Sequence, residues 1–352
     1  MMFSAGGAQY IQKLVDNAVL SGSRTATVTG DWEIDAAVRL PSRFTLILED
    51  CHLRLKDGAY TNIFVNEHNE TDLGKTTAGT DYDIAILGRG RAILDGGEPN
   101  GLHEKVPLEE RKAPLYKNNL ILFTNVKGFK VEGIHCRNQR WWALNFIYCV
   151  NGELRNLDFC ANDAAVDENG RGYHGLRRDK YKEVLVKNAD GIDLRQGCQN
   201  IVIENITGFT EDDAVALTAL NGRMEQFFRV EGMDSAISHV KIRNVRASSF
   251  CSLVRLLNQG EIKLHDIEID GVTDECRQSP HLDHGIYAVR VGDTKMYGDR
   301  HSTKDETYNI TIKNVYGAGE HAIALAGEIG NLVMENITCG EETELLLDWR
   351  NE

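Results

Sequence analysis

Six short stretches of this chain repeat one pattern, and that pattern leaves few folds open. They read "GELRNLD" from 152, "NIVIENI" from 200, "HVKIRNV" from 239, "EIKLHDI" from 261, "NITIKNV" from 309 and "NLVMENI" from 331. Apolar and polar residues alternate over five or six positions, which marks a strand with one buried face. Each stretch then reaches Asn or Asp, at Asn156, Asn205, Asn244, Asp266, Asn314 and Asn336. Such side chains bond to nearby backbone at bends. Successive marks lie 49, 39, 22, 48 and 22 residues apart, so a rung of 22 residues with inserted loops accounts for the series. A unit this small cannot bury its apolar face alone and must stack.

A second series follows the first: "WALNFI" from 142, "GIDLRQ" from 191, "AVALTAL" from 214, "SLVRLL" from 252, "GIYAVRV" from 285 and "HAIALAG" from 321. These six are expected to form one continuous parallel sheet, each strand from a different rung. The fold class expected is all-β, a single-domain right-handed parallel β-helix with an N-terminal capping helix. Leucine-rich repeats also place Asn after apolar residues, but helices usually return their chain, and here a second strand pattern does so. Residues 1–30 are read as the cap, with Ile11, Leu14, Val15, Ala18 and Val19 on one helical face and Gly22 as the stop. Residues 31–352 are read as the solenoid, with loop excursions near 67–83, 96–118 and 162–182.

Composition narrows the function classes. The 352 residues are 42% apolar and carry 39 basic and 53 acidic side chains, a net charge of −14, which argues against a phosphate-backbone binder. No apolar run approaches the ~20 residues of a membrane span. The N-terminus lacks a basic stretch leading into an apolar run, so a cytoplasmic location is expected. The eight cysteines form no C-x-x-C pair and read as reduced packing residues. The glycines of "GRGRA" fit a strand turn rather than a nucleotide loop, since no helix pattern follows. No metal or other cofactor is expected.

Carboxylates concentrate at 190–213. Asp190 lies 22 residues before Asp212 and 23 before Asp213, the same interval as the short rung. Equivalent positions on neighbouring rungs are about 4.8 Å apart, so these groups are expected to meet. Crowded carboxyls push at least one pKa upward and leave a proton donor beside an ionised partner, the state a glycosidase uses. The alternative is that each Asp serves a turn. In "DGIDL", Ile192 and Leu194 point inward and Asp193 outward, toward the same face.

The chain resembles glycoside hydrolase family 28, the polygalacturonase-like enzymes among the pectin-lyase-like right-handed parallel β-helices. "GRGRAILDGG" at 88, "VEGIHCRNQRWWALNF" at 131, "NADGIDL" at 188 and "EDDAVAL" at 211 carry the likeness. The resemblance implies inverting hydrolysis of an acidic or plant-derived oligosaccharide. It makes Asp212 the general acid, and Asp190 and Asp213 the pair that orients and deprotonates water. Two family features differ here. No histidine occurs from Ser248 to Leu257, where a His-Gly motif is normal, and the family's Arg-Ile-Lys is replaced by Arg290, Val291 and Gly292.

Arg255 and Arg290 are expected to point outward on neighbouring strands. Two readings stand: they grip a carboxylate or sulfate of the substrate, or they offset the aspartates. Trp141 and Trp142 precede Asp190 by about a rung, and one is expected to point each way, Trp142 stacking on a sugar. His174, with Arg177 and Arg178, lies in the third excursion and is a further candidate for the groove; a solvated loop is the other account. His281 and His284 are read as surface residues. A β-helical lyase or epimerase and a non-catalytic glycan-binding β-helix are the alternative functions.

Overall fold

The computed structural model describes residues 2–97, 114–139, 141–161, 165–166, 172–173, 189–278 and 285–350. Two parallel sheets run the length of the protein, one of eleven strands and one of ten. In each, strands follow one another in sequence order, the pattern of a coil that passes through both sheets once per rung. This is a right-handed parallel β-helix, as the alternating stretches imply.

Register holds the core together. On the ten-stranded sheet Leu144, Ile192, Val215, Val254, Val289 and Ile323 stack from rung to rung in one inward column. All six are buried. Ile201, Val240, Ile267 and Ile310 form a corresponding column on the other sheet. Each rung therefore covers the apolar face of its neighbour, and β-branched side chains suit the pleated surface. The six stretches of the second sequence series are consecutive strands of the ten-stranded sheet, from Trp142–Ile147 to His321–Ala326.

The marked asparagines are bends of the chain. Asn156, Asn205, Asn244, Asn314 and Asn336 have φ between 51° and 59°, in the left-handed region that Asn tolerates better than most side chains. Their amides form a ladder: Asn205 Nδ2 donates to Asn156 Oδ1 at 2.9 Å, Asn244 Nδ2 to Asn205 Oδ1 at 3.2 Å, and Asn336 Nδ2 to Asn314 Oδ1 at 2.7 Å. Asp266 belongs elsewhere. Pairing of Val240 with Ile267 and Val245 with Val272 puts Gly271, at φ 84°, opposite Asn244. Asp266 instead joins a second set of bends, where Asn309 Nδ2 donates to it at 2.8 Å and Asn331 Nδ2 to Asn309 at 2.8 Å. In "EIKLHDIEIDGV" the apolar phase shifts twice, at Asp266 and again at Gly271, so periodicity cannot tell which bend continues the ladder, and glycine adopts that conformation without a side chain to announce it.

The helix Gly7–Leu20 caps the first rung with Ile11, Val15 and Ala18 buried and Leu14 and Val19 against the core. Gly22, at φ 77°, follows it. A Cβ on Gly7 would stand 2.7 Å from Trp32 Cβ, so only glycine lets the helix approach this closely. The solenoid begins earlier than residue 31, since Thr25–Ile34 already pairs with Phe44–Leu55. The first excursion ends at residue 80, where Asp81–Asp95 begins, and contains the helix Asp72–Thr76. It is pinned by buried Asp81, which accepts from Asn66 Nδ2 at 2.6 Å and His68 N at 2.9 Å and pairs with His68 Nδ1 at 2.7 Å. Most of the second and third excursions lies outside the described residues. All eight cysteines are free thiols, five of them buried. Among the described residues no helix is long and apolar enough to cross a membrane.

Asn205 takes part in two ladder bonds at a left-handed bend. Asn205→Ala is expected to lower unfolding stability by about 1–3 kcal/mol, and Asn205→Gly by less, because glycine keeps the backbone conformation and loses only the bonds. Urea denaturation of both variants checks this; the reverse order would contradict it.

Candidate active site

The ten-stranded sheet positions the carboxyls. Asp190 opens the strand Asp190–Arg195 opposite Trp142, and Asp193 lies between Asn145 and Ala216 of the flanking strands. Asp212 and Asp213 occupy the bend before Val215–Ala219, and Gly191 N donates to Asp213 O at 3.0 Å, so this bend abuts the Asp190 end of the neighbouring strand. Asp190, Asp212 and Asp213 therefore share one face of two adjacent rungs. Asp193 joins them. Asp190 and Asp193 are buried, while Asp212 and Asp213 retain partial exposure.

Asp212 is fixed through its backbone. Thr210 Oγ1 donates to its carbonyl at 2.6 Å and Ser249 Oγ, from the next rung, at 2.7 Å. Its Oδ1 accepts from Asp213 N at 3.0 Å. Ser249 Oγ in turn accepts from Cys251 N at 3.0 Å. A small hydroxyl in an apolar run carries no periodic signal to mark Ser249, and Cys251 reads in the sequence only as a reduced packing residue. Cys251 lies within the stretch where the family pattern would carry histidine. Burial, and then the charges of Asp212 and Asp213, hold its thiol well above the usual range, so it stays protonated.

Electrostatics separate the acids. Burial, followed by the charges of Asp193, Asp212 and Asp213, raises Asp190 well above an ordinary carboxyl. Burial raises Asp193 to about 7 against the pull of Arg195. Asp213 is also raised by the close packing around it, but Arg255 and Arg290 oppose that shift. Of the three, Asp213 has two arginines favouring its ionised form.

Arg255 and Arg290 face outward, directly paired across adjacent strands. Both approach Asp293 Oδ1, at 3.9 Å and 3.7 Å, distances too long for hydrogen bonds. Arg255 Nε and Arg290 Nε are buried and donate to no acceptor among the described residues. The pair thus stands between Asp213 and buried Asp293, with donors left over. Asp293 was invisible to sequence reading because it follows Gly292, at φ 81°, outside the alternating strand. Tyr297, farther along that loop, lies close enough to the cluster for burial and then the charge of Asp212 to raise its phenol.

The tryptophans differ from expectation. Trp141 and Trp142 pack together, ring centroids 5.9 Å apart, in one cluster flanked by Tyr60 and Met224. Trp141 is left-handed, at φ 45°, which breaks the alternation that would have sent the rings opposite ways. Arg195 lies over one face of Trp142, its Cζ 3.7 Å from the ring centroid. His174, Arg177, Arg178, His281 and His284 lie outside the described residues. A surface groove of about 890 Å³ runs along the larger sheet, lined by Asn200, His239 and Asn309. Its cations are satisfied locally, Lys313 by Glu335 at 2.9 Å for example, and it is remote from the carboxyl cluster.

Comparison with known proteins points to the same stretch of the chain. Residues 85–234, which include all four aspartates, match the profile of glycosyl hydrolases family 28. This middle part of the chain, less than half of its length, is therefore similar to family 28. Among solved structures, the chain is similar to a 1,3-alpha-1,4-beta-D-galactose-4-sulfate-3,6-anhydro-D-galactose-2-sulfate 4 galactohydrolase, with TM-score 0.64 and 11% identity over 97% of this chain and 86% of that one. An exopolygalacturonase from Thermotoga maritima gives TM-score 0.55 and 13% identity over 98% and 88%. A polygalacturonase from Erwinia carotovora ssp. carotovora gives 0.54 and 15% over 100% and 94%. At these identities the structures share the fold. No curated protein matches the sequence.

The crowded acids affect stability. Asp190 has a higher pKa folded than unfolded, so the native state holds its proton longer and stability falls as pH rises above about 4, the unfolded carboxyl value. Asp190→Asn removes this loss. The variant is expected to raise the thermal midpoint relative to the parent at pH 8 and to change it little at about pH 3, below the unfolded pKa.

Proposed function

We propose that this protein is an inverting glycosidase acting on an acidic oligosaccharide, a uronate or sulfated one. The observation that carries the reading is the meeting of Asp190, Asp212 and Asp213 on adjacent rungs beside two arginines with donors to spare. Asp212, partly exposed and braced by Thr210 and Ser249, gives its proton to the glycosidic oxygen as the bond to the anomeric carbon breaks. Water attacks that carbon from the opposite face. Its proton passes to Asp213, whose ionised form Arg255 and Arg290 favour, and Asp190 orients it. The same arginines offer a fork to the anionic substituent, which suits substrates of the kind that the names of the galactohydrolase and the polygalacturonases indicate. Arg255 stands in the stretch that lacks histidine, and this supports a grip on the anion different from the family pattern.

Asp212→Asn is expected to lower kcat by about 10²–10⁴, the range of general acid catalysis, with oligosaccharide binding kept. Release of reducing ends and calorimetric titration measure the two; unchanged turnover would remove Asp212 from the role of acid. Arg255→Met is expected to raise KM for acidic oligosaccharides at least tenfold, about the effect of one charged hydrogen bond, and to leave KM for neutral ones unchanged. Resolving the anomer formed first by proton NMR tests inversion.

A further inference from the structure

Asp190 and Asp193 each bury an oxygen, Asp190 Oδ1 and Asp193 Oδ2, that accepts no hydrogen bond among the described residues. A carboxylate left this way is costly, and two of them close together are costlier still. A proton on one carboxyl supplies the donor that the other lacks. The remaining question is which residue holds it.

Arg195 answers that question. It ends the same strand, is 4% exposed, and donates from Nη2 to Asp193 Oδ1 at 3.2 Å. Its Nη1 donates to Glu225 Oε1 at 2.8 Å, and its Cζ lies 3.7 Å from the Trp142 ring centroid. Glu225 is also buried, on the short helix Arg223–Phe227, with Oε2 where a Cβ on Gly222 would stand only 2.8 Å away. Guanidinium, carboxylate and indole therefore hold one another in place, and the cation touches Asp193. Among the described residues no cation pairs with Asp190.

We propose that Asp190 and Asp193 hold one proton between them, and that Arg195, fixed by Glu225 and Trp142, is the positioning residue that keeps this proton on Asp190. Asp193 is then the ionised acceptor. Where the glycosidase reading holds, a neutral Asp190 orients the attacking water by donating to its oxygen, and Asp213 alone takes the water's proton. This last consequence rests on that reading; the shared proton does not.

The groups that set the balance are known. Asp212, Asp213, Cys251 and Tyr297 surround Asp190, while Arg195, Asp213 and Glu225 surround Asp193. Burial pushes both carboxyls up, Asp193 to about 7, and Arg195 favours the ionised form of Asp193. Arg195 lowers Asp193 and Glu225 raises it, so removing either must move the titration in opposite directions.

The test follows isotope-labelled aspartate carboxyl resonances through a pH titration, with Asp190→Asn and Asp193→Asn used to assign the pair. Arg195→Met is expected to shift the Asp193 midpoint upward by about one pH unit or more, the usual effect of an adjacent cation, and Glu225→Gln to shift it downward. Arg195→Lys keeps the charge and should stay near the parent value. If Arg195→Met does not fold, Glu225→Gln and Arg195→Lys decide the matter. Midpoints that ignore these changes, or that move the same way in Arg195→Met and Glu225→Gln, overturn the proposal, as does a parent protein in which both residues titrate at the ordinary carboxyl value. A folding role alone produces no opposed shifts. These outcomes do not depend on hydrolysis: a protein that cleaves no glycan but shows the opposed shifts loses the glycosidase reading and keeps the shared proton. In an active enzyme, the acid limb of kcat should move with the same signs.

Discussion

Backbone hydrogen bonding between parallel strands holds each residue about 4.8 Å above its counterpart on the rung below, and the other features of the protein follow from that register. Inside the coil it stacks Leu144, Ile192, Val215, Val254, Val289 and Ile323 into one continuous contact. Outside the coil it places Asp193, Ala216, Arg255 and Arg290 in line. A slip of one residue would exchange these two sets, putting charges in the core and valines in solvent. The apolar columns thus fix, from inside the coil, where the outward carboxyls and arginines stand.

That rigidity lets the site concentrate charge. Acids raised by burial are unfavourable for folding at neutral pH, yet a solenoid spreads its stability over many rung interfaces and tolerates one strained region. The strain is not evenly shared. Arg255 and Arg290 back Asp213, Arg195 backs Asp193, and among the described residues no cation pairs with Asp190, so carboxyls of one chemistry acquire different proton affinities. Acid–base catalysis requires such a difference. Asp293 and Glu225 then neutralise the supporting arginines from outside the strands.

Much of the architecture was legible because solenoid packing is local in sequence. Alternation reported the strands, asparagine reported most bends, and the interval from Asp190 to Asp213 matched a rung. Legibility failed where a residue departs from its pattern. Gly271 replaced asparagine at one bend, so Asp266 was assigned to the wrong set. Trp141 took a left-handed conformation and joined Trp142 on one side. Ser249, Cys251, Glu225, Asp293 and Tyr297 sit in bends and loops, where no period predicts direction, so their approach to the acids required coordinates.

The sequence by itself determined the fold class, the capping helix, the inward columns and the face on which Asp190, Asp193, Asp212 and Asp213 meet, because each depends on residue spacing and on whether a side chain is apolar. Only the tertiary structure decided which cation serves which acid, that Arg195 lies over one face of the Trp142 ring, and that the two arginines share Asp293. Those outcomes depend on where loops return over the sheet and on distances of a few ångströms between charges, quantities to which hydrophobic periodicity is blind.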